Sequence, residues 1–170
     1  MKYLHMLMKY LYMLLLAFLL SAPDAAAQSR ALAGKCAATD EQTLTLINDY
    51  QELRERRSRL AAGGFDEDLN AYDGKLHRVL VALGERFGRP SNTKQNIQAC
   101  LGQPDAIRSE DRMSRFLGIY QNERRKAGKN PLAKRDREYF IYFWRGWHDF
   151  IFFISEDNRI IDSGWWFAYE

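Results

Sequence analysis

The sequence has few of the residues from which metal sites and nucleophilic active sites are built. It contains two cysteines and three histidines. Beyond the N-terminal segment only Cys36, His77, Cys100 and His148 remain, and their spacing is not that of a metal site. No glycine-rich phosphate loop or nucleophile motif is present, and His148 and Asp149, as strand neighbours, should point to opposite faces rather than form a dyad. We therefore predict no metal, no cofactor and no catalytic residue.

The sequence also lacks a hydrophobic run long enough to cross a bilayer. The apolar run from Tyr10 to Leu20 is far shorter than the roughly 20 residues that a transmembrane helix needs. A basic start precedes it and the small residues of "SAPDAAAQ" follow it, which is the pattern of a secretory signal peptide. Ala25 and Ala27 occupy the positions of an A-x-A cleavage site, so residues 1–27 are predicted to be removed. The alternative is an uncleaved signal anchor.

The sequence also has no strong excess of basic over acidic residues, or the reverse. The chain has 25 basic and 22 acidic residues. Residues 1–27 contain two of the former and one of the latter, which leaves a net charge of +2. This near neutrality argues against nucleic acid as a partner. We expect a secreted protein, periplasmic or extracellular, with no stable membrane insertion after cleavage.

The two cysteines of an exported chain favour a disulfide. A bridge between Cys36 and Cys100 would contribute about 4 kcal/mol in the chain-entropy model, because it closes a long loop. The alternative is that Cys100 is a small core residue and Cys36 a stray thiol.

Helical periodicity predicts an N-terminal helical hairpin over residues 39–88, after a flexible tail at 28–38. Thr39 is the expected first cap and Asp66 the second. The apolar stripe of the first helix is Leu46, Ile47, Tyr50, Leu53 and Leu60. That of the second is Leu69, Tyr72, Leu76, Val79, Leu80, Leu83 and Phe87.

The sequence pattern of residues 92–170 predicts an ααβββ unit. Together with the helical hairpin, this unit would form a single α+β domain over residues 39–170. Two shorter helices are expected at about 93–101 and 110–127, followed by a loop. The pattern then changes to period two, with turns at Arg145-Gly146 and at residues 155–158. The expected sheet is a three-stranded antiparallel meander.

The first hairpin of this sheet is aromatic on both sides. With a two-residue loop at Arg145-Gly146, Trp144 pairs with Trp147 and Tyr142 with Asp149, all on one face. Tyr139, Ile141, Phe143, His148, Phe150 and Phe152 then lie on the other. Helices can cover both faces, the two shorter helices on one and the helical hairpin on the other. Alternatively, part of the first face stays open as a docking surface, with Arg145 at the tip of the hairpin of strands.

The strongest local charge is the basic segment that includes Arg124, Arg125 and Lys126 and continues to Arg137. It can meet an anionic lipid or polysaccharide surface. The alternative is a solvated loop.

The segment "IQACLGQPD" (Ile97–Asp105), with the later "YFIYFW" and "DFIFFISEDNRIIDSGW", resembles the SmpA/OmlA (BamE-like) family of small outer-membrane lipoproteins and the similarly built β-lactamase inhibitor proteins. The resemblance implies two short helices on a three-stranded sheet and a role in binding other proteins. The family's lipoprotein cysteine is missing, because Gly34-Lys35 precedes Cys36.

These observations predict an exported protein that binds a protein or an anionic surface partner through its aromatic sheet face, rather than an enzyme. The alternative is a small secreted hydrolase that acts on glycan or cell-wall material. Its catalytic acids would be Glu and Asp residues of the sheet. The sequence also contains the carboxylate pairs Glu67-Asp68, Glu110-Asp111 and Glu156-Asp157. Those pairs lie at predicted helix starts or a turn, where acidic residues complement the helix dipole or solvate a loop.

Overall fold

The computed structural model describes residues 36–37, 40–61, 63–146 and 148–167. The predicted signal peptide and most of the predicted tail lie outside the described residues, and so does Trp147. Within the described part the chain forms helices on both faces of one antiparallel sheet.

Five helices occur among the described residues. They are α1 (Glu41–Arg59), α2 (Glu67–Asn70), α3 (Lys75–Phe87), α4 (Lys94–Leu101) and α5 (Glu110–Lys126). The N-cap of α1 is Asp40 rather than the predicted Thr39, and its Oδ1 accepts a hydrogen bond from the amide of Thr43 at 2.8 Å. Arg86, near the end of α3, donates to Asp40 and Thr43 at the start of α1. The two long helices therefore run antiparallel, as the predicted hairpin requires.

The second helix of the hairpin is interrupted, which the periodicity did not predict. The first part, α2, ends at Asn70, and Asp73 has a φ of +60°. Gly74 then caps α3, in a position where a Cβ would lie 2.5 Å from the carbonyl oxygen of Glu67. This turn places Tyr72 at the surface with 60% of its side chain exposed, although the apolar stripe assigned it to the core.

Four strands form the sheet, in the order β1 (Ala106–Ser109), β2 (Glu138–Arg145), β3 (Asp149–Glu156) and β4 (Arg159–Trp166). The predicted α+β class is confirmed. The predicted number of three strands is wrong, because the four-residue strand β1 pairs with β2. Four residues are too few for a period-two pattern to be recognised.

The turn between β2 and β3 is longer than the predicted two-residue loop. Tyr142 pairs with Ile151 rather than with Asp149, and the register is irregular between Phe143 and Arg145. The predicted pairing is therefore wrong by two residues. A shift of two leaves every side chain on its original face, because side chains alternate along a strand. For the described aromatic residues of the two strands, the predicted division between the two faces is thus correct.

Helices cover both faces of the sheet. The hairpin helices and α4 pack on the face that carries Phe140, Tyr142, Trp144, Ile151 and Phe153. Helix α5 packs on the opposite face, which carries Tyr139, Ile141, Phe150, Phe152 and Ile154. Of the two arrangements that the sequence allowed, the structure therefore has the one in which helices cover both faces of the sheet. Helix α4, however, packs with the helical hairpin and not with α5.

The predicted disulfide is present. Cys36 is bonded to Cys100, which lies in α4 and is fully buried. The amide of Ala37 also donates to the Oδ1 atom of Asn96 at 2.9 Å. The segment before α1 is therefore attached to α4 by a covalent bond and a hydrogen bond.

Candidate functional site

The side chains predicted to form an open aromatic face are mostly buried. The exposed fractions of Tyr142 and Asp149 are 0%, and that of Trp144 is 1%. The hydroxyl of Tyr142 donates to the carbonyl oxygen of Gly102 at 3.0 Å, so its polar end is satisfied inside the protein. The expectation of exposure is therefore wrong for these three residues, because the helical hairpin packs on Tyr142 and Trp144 and Asp149 is buried beside Arg145.

Arg145 lies beside this buried carboxylate instead of at a free hairpin tip. Its Nε atom donates to Oδ2 of Asp149 at 2.7 Å, and its guanidinium is 5.1 Å from the ring centroid of Trp144. The Nδ1 atom of His148 is 3.4 Å from Oδ1 of Asp149. The expectation that these neighbours point apart is wrong, because His148 belongs to the turn and not to the strand. The arginine compensates the cost of burying the carboxylate.

Five rings meet where the hairpin face of the sheet ends. We call them the aromatic cluster; its members are Tyr72, His77, Trp144, Trp165 and Phe167. The ring of His77 is 4.5 Å from that of Trp144 and 4.9 Å from that of Tyr72. Trp165 and Phe167 are stacked, with ring planes 7° apart. His77 and Trp144 are buried, whereas Tyr72 is exposed and Trp165 and Phe167 are half-buried. The cluster therefore has a buried base and an accessible rim.

An open cavity of about 480 Å³ adjoins this rim. Tyr72, Trp165 and Phe167 line it together with several side chains of α3. Two carboxylates also line it, Glu85 of α3 and Asp73, which precedes that helix. Asp73 precedes α3, whereas Glu85 lies ten residues beyond the first residue of that helix, which is about 15 Å along the axis at 1.5 Å per residue. Glycosidases need carboxylates about 5 to 9.5 Å apart. The pair does not have the spacing of a glycan hydrolase.

Comparison with known proteins does not assign the cavity a role. No protein-family model, curated protein or solved structure matches this chain. The described residues contain no group of three or more histidine, cysteine or acidic side chains that could hold a metal ion. Among the same residues, no helix combines the length and the hydropathy required to span a membrane. The function must therefore be argued from the geometry of the site.

Most of the predicted basic segment is neutralised within the chain. Arg124 forms an ion pair with Asp162, and the Nζ atom of Lys126 lies 2.7 Å from Glu123. Arg125 donates to the Oδ1 atom of Asn122 at 2.6 Å. Of the three residues predicted to bind an anionic surface, Arg125 alone has no ion pair with a described carboxylate.

The end of the segment forms an ion network around the buried Arg137. Arg137, whose side chain is 4% exposed, contacts Glu110 at 3.3 Å and Glu156 at 2.9 Å. Arg135 contacts the other oxygen of Glu156 at 2.5 Å. Burial raises the pKa of Glu156, but the hydrogen bonds from Arg137 and Arg135 lower it more, and the net pKa lies below the ordinary 4.5. These cations join the start of β2 to the end of β3.

This network predicts a loss of stability in acid. A carboxyl group whose pKa is lower in the folded state stabilises the protein above its unfolded pKa. That stability is lost as the pH falls from about 4.5 through the folded pKa of Glu156. Melting temperatures measured between pH 7 and pH 3 should therefore decline less steeply for Glu156→Gln than for the native protein. Equal slopes would show that protonation of Glu156 does not contribute to acid unfolding.

The sequence pointed to part of the cluster but missed its rim. Trp144 was expected in the site and forms its base. Tyr72 was assigned to the core, and Trp165 and Phe167 to a third strand without a role. The dipeptide Asp73-Gly74 is a turn signal, and it could have indicated that Tyr72 precedes a break in the helix.

Proposed function

We propose that this chain is an exported binding protein whose aromatic cluster receives an apolar or aromatic side chain of a protein partner. The observation that supports the proposal is the accessible rim of Tyr72, Trp165 and Phe167 beside a cavity of about 480 Å³. Aromatic residues contribute a large share of the binding energy at protein interfaces. The buried rings of His77 and Trp144 hold the rim in place, which limits the entropy lost on binding.

Two further observations support export and binding. The bond between Cys36 and Cys100 fits an oxidising compartment, where disulfides persist. We also propose that Ile97–Asp105 and the later strands are related to the SmpA/OmlA family. Members of that family bind other proteins, which agrees with a binding role. The hydrolase alternative lacks comparable support, because Asp73 and Glu85 lie at opposite ends of α3.

The test compares two neighbouring tryptophans. Trp165 belongs to the aromatic cluster, whereas Trp166 packs against Phe116 on the opposite face at 4.5 Å. A partner is first isolated by cross-linking to the mature protein in the envelope or secreted fraction of the source cell. Its purified form should bind Trp165→Ala at least about 30-fold more weakly, since a central aromatic anchor contributes about 2 kcal/mol or more.

The control is Trp166→Ala, which loses a ring of the same type and should bind the partner as the native protein does. Circular dichroism checks that both variants are folded. Equal weakening by the two variants would refute the aromatic cluster as the docking site. Release of reducing sugar ends from cell-wall glycan by the purified native protein would instead favour the hydrolase.

A further inference from the structure

A second cavity, of about 550 Å³, lies on the far side of the molecule, along the outer face of α5. We call it the basic groove. One wall is helix α5, and the other is the loop that follows it, represented by Leu132 and Lys134. The groove is remote from the aromatic cluster, because α5 packs on the opposite face of the sheet.

The helical wall of the groove is a single stripe of α5. Arg115, Gly118, Asn122 and Arg125 follow one another at intervals of three, four and three residues, so they share one side of the helix. At a rise of 1.5 Å per residue, Arg115 and Arg125 are separated by about 15 Å along the axis. Gly118 lies between them. The groove is therefore elongated and has a cation near each end.

The two arginines that line the groove are not neutralised by described carboxylates. Arg115 has no ion pair with any described carboxylate, and Arg125 is bonded to the neutral Asn122. Lys134 is 3.8 Å from Asp111, and both of these side chains are highly exposed. The acid that lines the groove, Glu110, is already paired with the buried Arg137. An anionic ligand is thus the electrostatic complement of this surface.

Gly118 leaves the middle of the groove open. Glycine in the interior of a helix destabilises it relative to alanine. A Cβ at this position would meet no atom within 4 Å, so close packing within the described chain does not require the glycine. A bare helix backbone permits close approach of another molecule. The adjacent Ile119 is 52% exposed, which adds an apolar contact beside the glycine.

We propose that the basic groove binds an extended acidic peptide segment of a partner protein. An extended chain rises about 3.3 Å per residue, so about five residues reach from Arg115 to Arg125. A segment with acidic residues at both ends and an apolar residue between them matches the two cations and the intervening Ile119 and Leu132. An extended peptide can lie in the space between α5 and the loop that follows it, which the surface of a lipid bilayer cannot enter.

The test uses a fluorescein-labelled pentapeptide of sequence EELEE and fluorescence anisotropy at low salt. Arg115→Glu and Arg125→Glu should each weaken its binding at least about 10-fold, because each places a like charge at one end of the ligand. Gly118→Leu should weaken it similarly by filling the groove. Arg59→Glu is the matched control, because the highly exposed Arg59 lies at the end of α1, on the opposite face of the sheet from the groove, and its replacement makes the same change in net charge.

The proposal is refuted if the native protein does not bind EELEE, if it binds the neutral peptide QQLQQ equally well, or if Arg59→Glu weakens binding as much as Arg115→Glu. Binding to phosphatidylglycerol vesicles, without binding of EELEE, would assign the groove to a lipid surface and also overturn the proposal. Arg115 is an exposed residue, so its variant tests the groove even if Gly118→Leu does not fold. Trp165→Ala should leave peptide binding unchanged, which separates this proposal from the aromatic docking site.

Discussion

Replacing Cys36 with serine is expected to lower the free energy of unfolding by about 4 kcal/mol, because the variant loses a cross-link between residues 64 positions apart. Cys36 is partly exposed whereas Cys100 is fully buried. Substitution at Cys36 therefore removes the bridge and leaves the packing around Cys100 largely intact. Such a loss is a large share of the 5 to 15 kcal/mol that is typical of whole domains. Urea unfolding of the mature protein, followed by circular dichroism, measures it.

Reduction provides the matched control for this substitution. Dithiothreitol should destabilise the native protein by the same amount and should have no further effect on Cys36→Ser. If the unfolding midpoint of the native protein is the same with and without reductant, the bridge does not stabilise the fold, and the attachment of the N-terminal segment to α4 is energetically neutral.

The disulfide also encloses the part of the chain that forms one side of the proposed docking site. Helices α1, α2 and α3 all lie between Cys36 and Cys100, and so do Tyr72 and His77. In the unfolded state the cross-link restricts this whole hairpin. The residues that support the aromatic rim thus belong to the segment that the bridge stabilises most directly.

Local signals in the sequence were sufficient to predict most of the helices. Thr93 caps α4 through a hydrogen bond from the amide of Asn96, and Gly102 follows the helix with a φ of +77°. Helix α5 ends at Lys126, shortly before Gly128. Capping side chains and glycines act within a few residues of the helix end, which is why a single sequence reveals them.

The strand pairings depend on distant residues and were harder to predict. The partner of Ala106 in β1 is Ile141, in a strand that begins more than 30 residues later. No pattern within the short β1 segment indicates this partner. The turn between β2 and β3 likewise differs from the predicted one by its length, although alternation kept the two faces correct.

The sequence alone could not decide whether the aromatic side chains of β2 and β3 are buried or exposed. Aromatic residues are typical both of cores and of interfaces. The answer depends on where α1 and α3 pack, which is a tertiary property. The accessible rings are those at the end of the covered face, where the turn at Tyr72 and the last residues of β4 approach each other.

Asp162→Asn is expected to lower the free energy of unfolding by about 3 kcal/mol, because it leaves a mostly buried guanidinium without its counter-charge. Asp162 is the common acceptor for Arg124 and for the hydroxyl of Tyr120, which donates at 2.6 Å. The side chains of Arg124 and Asp162 are only 13% and 11% exposed. The amide oxygen of asparagine can still accept from Tyr120, so the loss reports mainly on the ion pair.

Lys126→Met is the control, since Lys126 and its partner Glu123 are both exposed and such pairs contribute about 0 to 1 kcal/mol. In the double variant Arg124→Met with Asp162→Asn, the loss should be smaller than the sum of the two single losses, because neither charge remains unpaired. Additive losses, with Asp162→Asn as mild as Lys126→Met, would mean that Arg124 is not held by this pair. Its guanidinium would then be free to contact an anionic surface, which is the role that the sequence alone suggested for it.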